Sequence, residues 1–398
     1  MGKHLFAATV LLTLGSIGAA RGQAVQTVMS GLDSPRGMAF GPDGALYVTE
    51  AGSGGSGPSI SGGAGPLYYG NTSSLSRLLD GVQQRVLTGL PSLAGAGGTE
   101  GTGLQDIAFD STGKAYGLFG YGADPSLRSS LGGAAAVFGQ VVSLPLAGGA
   151  IQPVADLAAY EAAKNPDGAD VNSNPYRLLA TAGGFVAVDA GGNDVLKVGA
   201  NGSISTLAVL PALPISPTPG SATYQAVPTS IALGTDKAYY VSEFTGVPFP
   251  KGAADVFRID PTTGAVAPAF TGFTNIIGLT FGSNGDLYVL DYTTNGLISP
   301  SGPGPGELIQ VDPSTGLRTI ILNNLVDPSG LIAGPDGALY LSVNGGSLTD
   351  GAVIRVQVSS VPEPGSWALL GSGLLAISAC AARRSGRNRS PRPVDLIG

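Results

Sequence analysis

The sequence predicts an all-β protein arranged as a six-bladed β-propeller. Three observations carry that prediction: one turn motif recurs six times, glycine and proline are dense, and an unpaired strand-like segment precedes the first repeat. The chain holds 64 Gly and 29 Pro, with 43% hydrophobic and only 12% charged residues, which suits many short strands joined by turns.

The motif is clearest as "GPDGALYVTEA" from 41, "GSNGDLYVLDY" from 282 and "GPDGALYLSVN" from 334. Weaker copies are "DSTGKAYGLFG" from 110, "TAGGFVAVDAG" from 181 and "GTDKAYYVSEF" from 234. Each follows a short apolar run ("GMAF", "DIAF", "RLLA", "TSIAL", "GLTF", "GLIA"), so every copy reads as two strands around a tight turn. Further runs such as "VFRID", "ELIQVD" and "VIRVQV" supply a third strand, and "DPTTG" or "DPSTG" turns lead into a fourth. A four-stranded sheet cannot bury both faces alone, whereas six set radially can. The last repeat stops after "VIRVQV", and "AVQTVMSGL" at 24 to 32 stands before the first, so the N-terminal strand is expected to complete the sixth blade and close the ring.

Both termini read as address rather than fold. Residues 1–23 have the layout of a secretory signal: Lys3 and His4, the apolar stretch Leu5 to Ala20, then small residues in "AARGQA". The propeller is placed at 24–358. Residues 359–398 hold Pro362, Glu363 and Pro364, an apolar segment at 367–382, and Arg383, Arg384, Arg387, Arg389 and Arg392. That segment is slightly shorter than the roughly 20 residues of a spanning helix, which snorkelling arginines compensate. The arginines would stay on the cytoplasmic side. The membrane is thus met only through this anchor.

This tail resembles the PEP-CTERM sorting signal of Gram-negative bacteria. The resemblance implies recognition by an exosortase-type processing enzyme, cleavage near Pro362–Pro364, and passage from a transient inner-membrane anchor to the cell surface or extracellular matrix. The body, through "SGLDSPRGMAFGPDGALYVTEAG", "NPDGADVNSNPYRL" at 165 to 178 and the blade repeats, resembles the ScyD/ScyE family of secreted propellers, with turns also found in NHL and gluconolactonase-like propellers. It implies the fold and names no reaction.

Composition excludes several chemistries. The one Cys is Cys380 and the one His is His4, both outside the propeller, so the body has no disulfide, no Cys-His or Ser-His nucleophile system and no His/Cys zinc site. With 27 acidic against 20 basic residues, and the arginines crowded at the end, the body is acidic and lacks the basic footprint of a nucleic-acid binder.

The short turns within each blade fall on one side of the ring. Long connections ("AGSGGSGPSISGGAGPLYYGNTSS", "YGADPSLRSSLGG", "DLAAYEAAKNPDGADVNSN", "TTNGLISPSGPGPG") fall on the other, which is the expected working face. Two constellations lie there. Glu50, Asp189, Glu243 and Asp291 occupy the end of the second strand in four blades, where they either line the mouth of the central channel for a ligand or bond to neighbouring backbone N–H groups. Asp167, Asp170, Asn172 and Asn174 in "PDGADVNSN" cluster oxygen donors suited to calcium, or form an Asx-rich turn.

Two functions from different classes follow. One is a non-catalytic surface or matrix module binding a polysaccharide, a small ligand or a matrix protein. The other is a carboxylate- or calcium-dependent propeller hydrolase acting on a sugar or lactone. Gluconolactonase-type propellers carry metal ligands at the start of each innermost strand; the matching positions, about Arg36, Gln105, Arg177, Thr229, Ile277 and Ser329, make no divalent-metal site. Quinone-dependent sugar dehydrogenases need a His base that the body lacks.

Overall fold

The computed structural model describes residues 24–358 apart from Ala64 and residues 217–220. The signal peptide expected at 1–23, the Pro362–Glu363–Pro364 motif and the 367–382 segment lie outside the described residues. Among the described residues no helix is long and apolar enough to cross a membrane.

Six antiparallel sheets make a propeller, and the expected strand order holds in each. Blade one runs Pro35–Phe40, Leu46–Glu50, Pro66–Leu79 and Val82–Ala94; blade two Leu104–Phe109, Ala115–Phe119, Gln140–Ser143 and Gln152–Asp156. Blade three runs Pro175–Thr181, Gly184–Asp189, Asp194–Gly199 and Ile204–Val209; blade four Pro228–Leu233, Tyr239–Glu243, Ala254–Ile259 and Val266–Phe273. Blade five runs Ile276–Phe281, Leu287–Asp291, Gly306–Val311 and Arg318–Leu325. Blade six is Gly330–Ala333, Leu339–Val343 and Gly351–Val356, with the N-terminal strand Val25–Leu32 on its outer edge. The first and last strands of the propeller pair from Val25 opposite Val356 to Leu32 opposite Gly351, so the ring is closed as its sequence implied.

The repeated motif has a structural cause. In blades one, four and six the turn aspartate (Asp43, Asp236, Asp336) accepts a hydrogen bond from a tyrosine hydroxyl four residues on (Tyr47, Tyr240, Tyr340). In blade five Asn284 donates to Tyr288 instead. The ring lies where a side chain on the preceding glycine would stand: a Cβ on Gly334 would come 2.4 Å from Tyr340. Gly, Asx and Tyr are therefore one packed unit that sets the hairpin, and their recurrence marks architecture rather than chemistry.

The core sits between blades. Six apolar clusters each span two neighbouring sheets; one joins Ala108, Leu118 and Val141 of blade two to Leu178, Phe185 and Leu196 of blade three. Near the axis, side-chain hydroxyls tie three blades to the innermost strand of the next: Thr49 donates to Gln105 O, Thr229 to Ile276 O and Ser342 to Arg36 O. Removing one blade would thus expose two clusters, which makes the ring rather than the blade the folding unit.

Two long segments are more ordered than loops. "DLAAYEAAKNPDGADVNSN" contains a helix, Leu157–Lys164, started by the Asp156 side chain accepting from Ala159 N and ended by Asn165 in the left-handed region. This is a normal cap pair at both ends. The glycine-rich segment after Glu50 contains a short strand, Ser59–Ser61, that pairs with the start of Pro66–Leu79 and lengthens blade one beyond the ring.

Candidate functional site

The central channel opens on the long-loop face as a cavity of about 410 Å³. Arg36, Tyr176, Thr229, Ile277 and Ser329 reach it from the innermost strands, and Phe244, Tyr292, Leu297 and Asp327 from the loops. A β-bulge puts the strand residues there. In blade four Pro228 pairs with Glu243 and Ser230 with Ser242, leaving Thr229 unpaired between them; in blade five Ile277 is unpaired in the same way. Bulged residues are turned out of the pleat, here toward the axis.

The register corrects one position. Pro175 pairs with Asp189 and Arg177 with Val188, so Tyr176 is the bulged residue of blade three, and Arg177 belongs one layer deeper with Asp106 and Ser230. The ring at the mouth is therefore Arg36, Gln105, Tyr176, Thr229, Ile277 and Ser329. Arg36 is committed to structure: its guanidinium donates to Gly345 O at 2.6 Å and Gly101 O at 2.8 Å, clasping loops on either side of the ring closure. Ser329 Oγ donates to Pro35 O at 2.6 Å. A cation, an amide, three hydroxyl groups and an isoleucine do not compose an oxygen cage for a divalent metal.

The four strand-end carboxylates do not line this mouth. Each is buried within its own blade. Glu50 accepts from Asp33 N, Ser76 Oγ and Arg85, whose Nη2 lies 2.7 Å from Oε2. Asp189 accepts from Ser173 Oγ at 2.6 Å, Asn174 N at 2.6 Å, Gly191 N and Gly192 N, which closes the turn after its strand. Glu243 accepts from Asp255 N and Asp291 from Thr274 N, each leaving one oxygen unpartnered. Burial pushes Glu243 up to about 9 and Asp291 to about 8, and it raises Asp189 against the pull of its hydrogen bonds. Both Glu243 and Asp291 are thus neutral near pH 7.

Residues 167–174 are distributed rather than gathered. Asp167 accepts from Ala169 N and Asn193 Nδ2, Asp170 from Gln225 Nε2, and Asn174 from Tyr121 N, while Asn172 packs over Gly191. Beneath them Glu161, Asp189 and Asp194 share a buried region. Burial first, then the neighbouring carboxylates, raise Glu161 to about 7 and Asp194 well above the usual range. Among the described residues, no group of three or more His, Cys, Asp or Glu is disposed to hold a metal ion.

The mouth instead presents aromatic surface. Phe244 and Tyr292 lie with ring centroids 5.7 Å apart, and the Tyr292 hydroxyl donates to Asp327 Oδ1 at 3.1 Å. Burial, with Asp327 beside it, raises the Tyr292 hydroxyl far above its ordinary value, so the phenol stays protonated. Sequence reasoning stopped one residue short of both rings: Phe244 follows Glu243 and Tyr292 follows Asp291. In blades four and five the residue after the strand-end carboxylate is where the chain leaves the sheet and enters the loop face, whereas Ala51 and Ala190 stand there in blades one and three.

Residues 360–384 match the PEP-CTERM protein-sorting motif, a span that contains Pro362, Glu363 and Pro364. No curated protein matches the chain. The body is similar in structure to the soluble aldose sugar dehydrogenase of Escherichia coli, at 12% identity and TM-score 0.51, covering 84% of this chain and 99% of that one. It is also similar to XC5397 of Xanthomonas campestris, described as a gluconolactonase (11%, TM-score 0.49, 84% and 90%). A third is the calcium-binding protein regucalcin of Agrobacterium tumefaciens (12%, TM-score 0.49, 86% and 96%). At these identities the likeness bears on fold alone.

Proposed function

We propose that this PEP-CTERM β-propeller is an exported, non-catalytic binding module of the cell surface or extracellular matrix, with the long-loop mouth as its binding site and a carbohydrate end or similar polyhydroxylated group as its ligand. The observation that carries this reading is the composition of the mouth. Tyr176, Phe244 and Tyr292 offer flat aromatic surface beside Ile277, with Asp327 and the Tyr292 hydroxyl as polar groups on the same rim. Aromatic faces stack on the apolar side of a sugar ring while carboxylate and hydroxyl groups meet its edges.

A glycan and metabolite binding screen on residues 24–358 tests it. Binding of a defined glycan without turnover is expected, weakened at least about tenfold in Tyr292→Ala, since losing one ring and its hydrogen bond removes more than about 1.4 kcal/mol. Turnover of a sugar ester or lactone would transfer the site to the hydrolase reading. Binding untouched by Tyr292→Ala would move it off this mouth.

A calcium ion on the 167–174 loop would have to replace the Asp167–Asn193 and Asp170–Gln225 bonds, whose geometry already uses those carboxylates. The expected melting temperature is therefore the same in millimolar calcium and in chelator. A rise with calcium would show that the loop rebuilds around an ion, since a ligand bound only to the folded state stabilises it.

Sorting follows the tail. In a host with an exosortase the protein is expected outside the cell, shortened at both ends and without Cys380; in a host without one, it is expected in the membrane fraction at the tethered size. Recovery of soluble secreted protein that still carries Cys380 would remove the sorting role from this segment.

A further inference from the structure

The other end of the central channel, on the short-turn face, is a second cavity with its own chemistry. It has a volume of about 570 Å³, and its walls are apolar: Phe40, Phe109, Leu179, Ala232, Phe281 and Ile332. Its floor is the layer beneath the bulged residues, where Asp106, Arg177 and Ser230 stand. That volume lies inside the usual range for small-molecule sites.

The floor is charge-balanced but incompletely bonded. Arg177 is 7% exposed, and its Nη1 lies 3.3 Å from Asp106 Oδ1. Asp106 Oδ2 accepts from Leu178 N at 2.8 Å, and the carboxylate fills the space a side chain on Gly37 would need. Arg177 Nε and Nη2 have no partner. Ser230 does not serve them, because its hydroxyl is engaged with Leu279 N and O. Buried N–H groups without acceptors are costly, and a ligand that brings an acceptor to them recovers that cost.

We propose that the short-turn end of the channel binds a small, mainly apolar molecule bearing an uncharged oxygen acceptor, such as a ketone, which accepts hydrogen bonds from Arg177 while its body fills the apolar funnel. The acceptor is uncharged because Asp106 already balances the guanidinium. An anionic head would leave one unmatched charge in apolar surroundings, whereas a carbonyl completes the bonding at no net charge. This site is separate from the long-loop mouth and is built from different residues.

Every strand and core cluster of the closed ring lies within residues 25–358, so the body 24–358 is the unit to test. The probe is prodan, a neutral naphthyl ketone whose emission shifts to the blue and brightens in apolar surroundings. Saturable prodan binding is expected, with anilinonaphthalene sulfonate, its anionic counterpart, at least about tenfold weaker. The charge-neutral double variant Asp106→Asn/Arg177→Met should weaken prodan about tenfold and leave naphthalene unaffected. Ala232→Trp, which fills the funnel from its wall without touching the floor, should abolish binding; Ile277→Trp, at the opposite mouth, should not. The proposal is overturned if prodan does not bind saturably, if the sulfonate binds as well, or if Ala232→Trp leaves binding intact. Equal loss of prodan and naphthalene in the double variant would overturn the role of Arg177. Should that variant fail to fold, Ala232→Trp and the two-probe comparison still decide the outcome. A negative glycan screen leaves this result untouched.

Discussion

Without residues 24–32 the chain is expected to form soluble aggregates rather than a monomeric propeller. The segment supplies the outer strand of blade six, and its loss leaves Gly351–Val356 with an unpaired edge that invites another chain. The cost is also internal. Met29 and Leu32 are fully buried against Met38, Leu46, Val48 and Val353, a cluster that belongs to blades one and six together. Removing two such side chains costs about 2–5 kcal/mol each, of the same order as the whole stability of a domain. Links to blade one go with them: Ser30 exchanges hydrogen bonds with Gln83, and Arg85 donates to Gly31 O. Gel filtration and thermal melting of residues 33–358 against 24–358 check this. A monomer melting within a few degrees of the longer chain would mean that the ring closes by some other means.

The second large effect is set by pH. Glu243 is fully buried, with one oxygen bonded to Asp255 N at 3.1 Å and the other without a partner. Burial, and after it the charge of Asp255, raises its pKa to about 9, against an unfolded value of about 4.3. Across that interval the folded state holds a proton that the unfolded state has released. The contribution is therefore complete below about pH 4.3 and is lost as pH rises through about 9, with a slope of up to ~1.4 kcal/mol per pH unit. Asp291, raised by burial to about 8, acts in the same direction. Glu243→Gln keeps the shape and the bond to Asp255 N and removes the titration, so the variant should match the parent near pH 4 and exceed it by several kcal/mol at pH 9. Denaturant melts at a series of pH values test it; parallel curves for parent and variant would show that Glu243 is ionised in the fold.

The candidate sites show where sequence reasoning ends. Glu50, Asp189, Glu243 and Asp291 aligned correctly in strand position, yet alignment along a strand does not say whether a side chain faces the axis or the space between blades. The bulge before each of them decided that, and it passed the mouth to their neighbours Thr229 and Ile277 and to the aromatics Phe244 and Tyr292. A bulge inserts one residue without altering the apolar pattern on either side. For the same reason the spacing points Arg177 to the mouth, whereas it belongs to the floor of the opposite cavity. The helix Leu157–Lys164 carries little signal in the sequence, because only two turns of it interrupt a loop rich in alanine.

The sequence by itself determined the six repeats, the closing N-terminal strand and the sorting motif, because each is a local pattern: a tight glycine turn between two apolar runs repeated six times, with the Gly-Asx-Tyr unit in four of them, a strand left over, a Pro-Glu-Pro before an apolar run. Only the tertiary structure decided which side chains meet across blades. Asp106 reaches Leu178 and Arg177 over 70 residues away, and Gly37 is bare because Asp106 fills its place. Such contacts depend on the angle and twist between sheets packed around an axis, a property of the closed ring that no stretch of the chain carries alone.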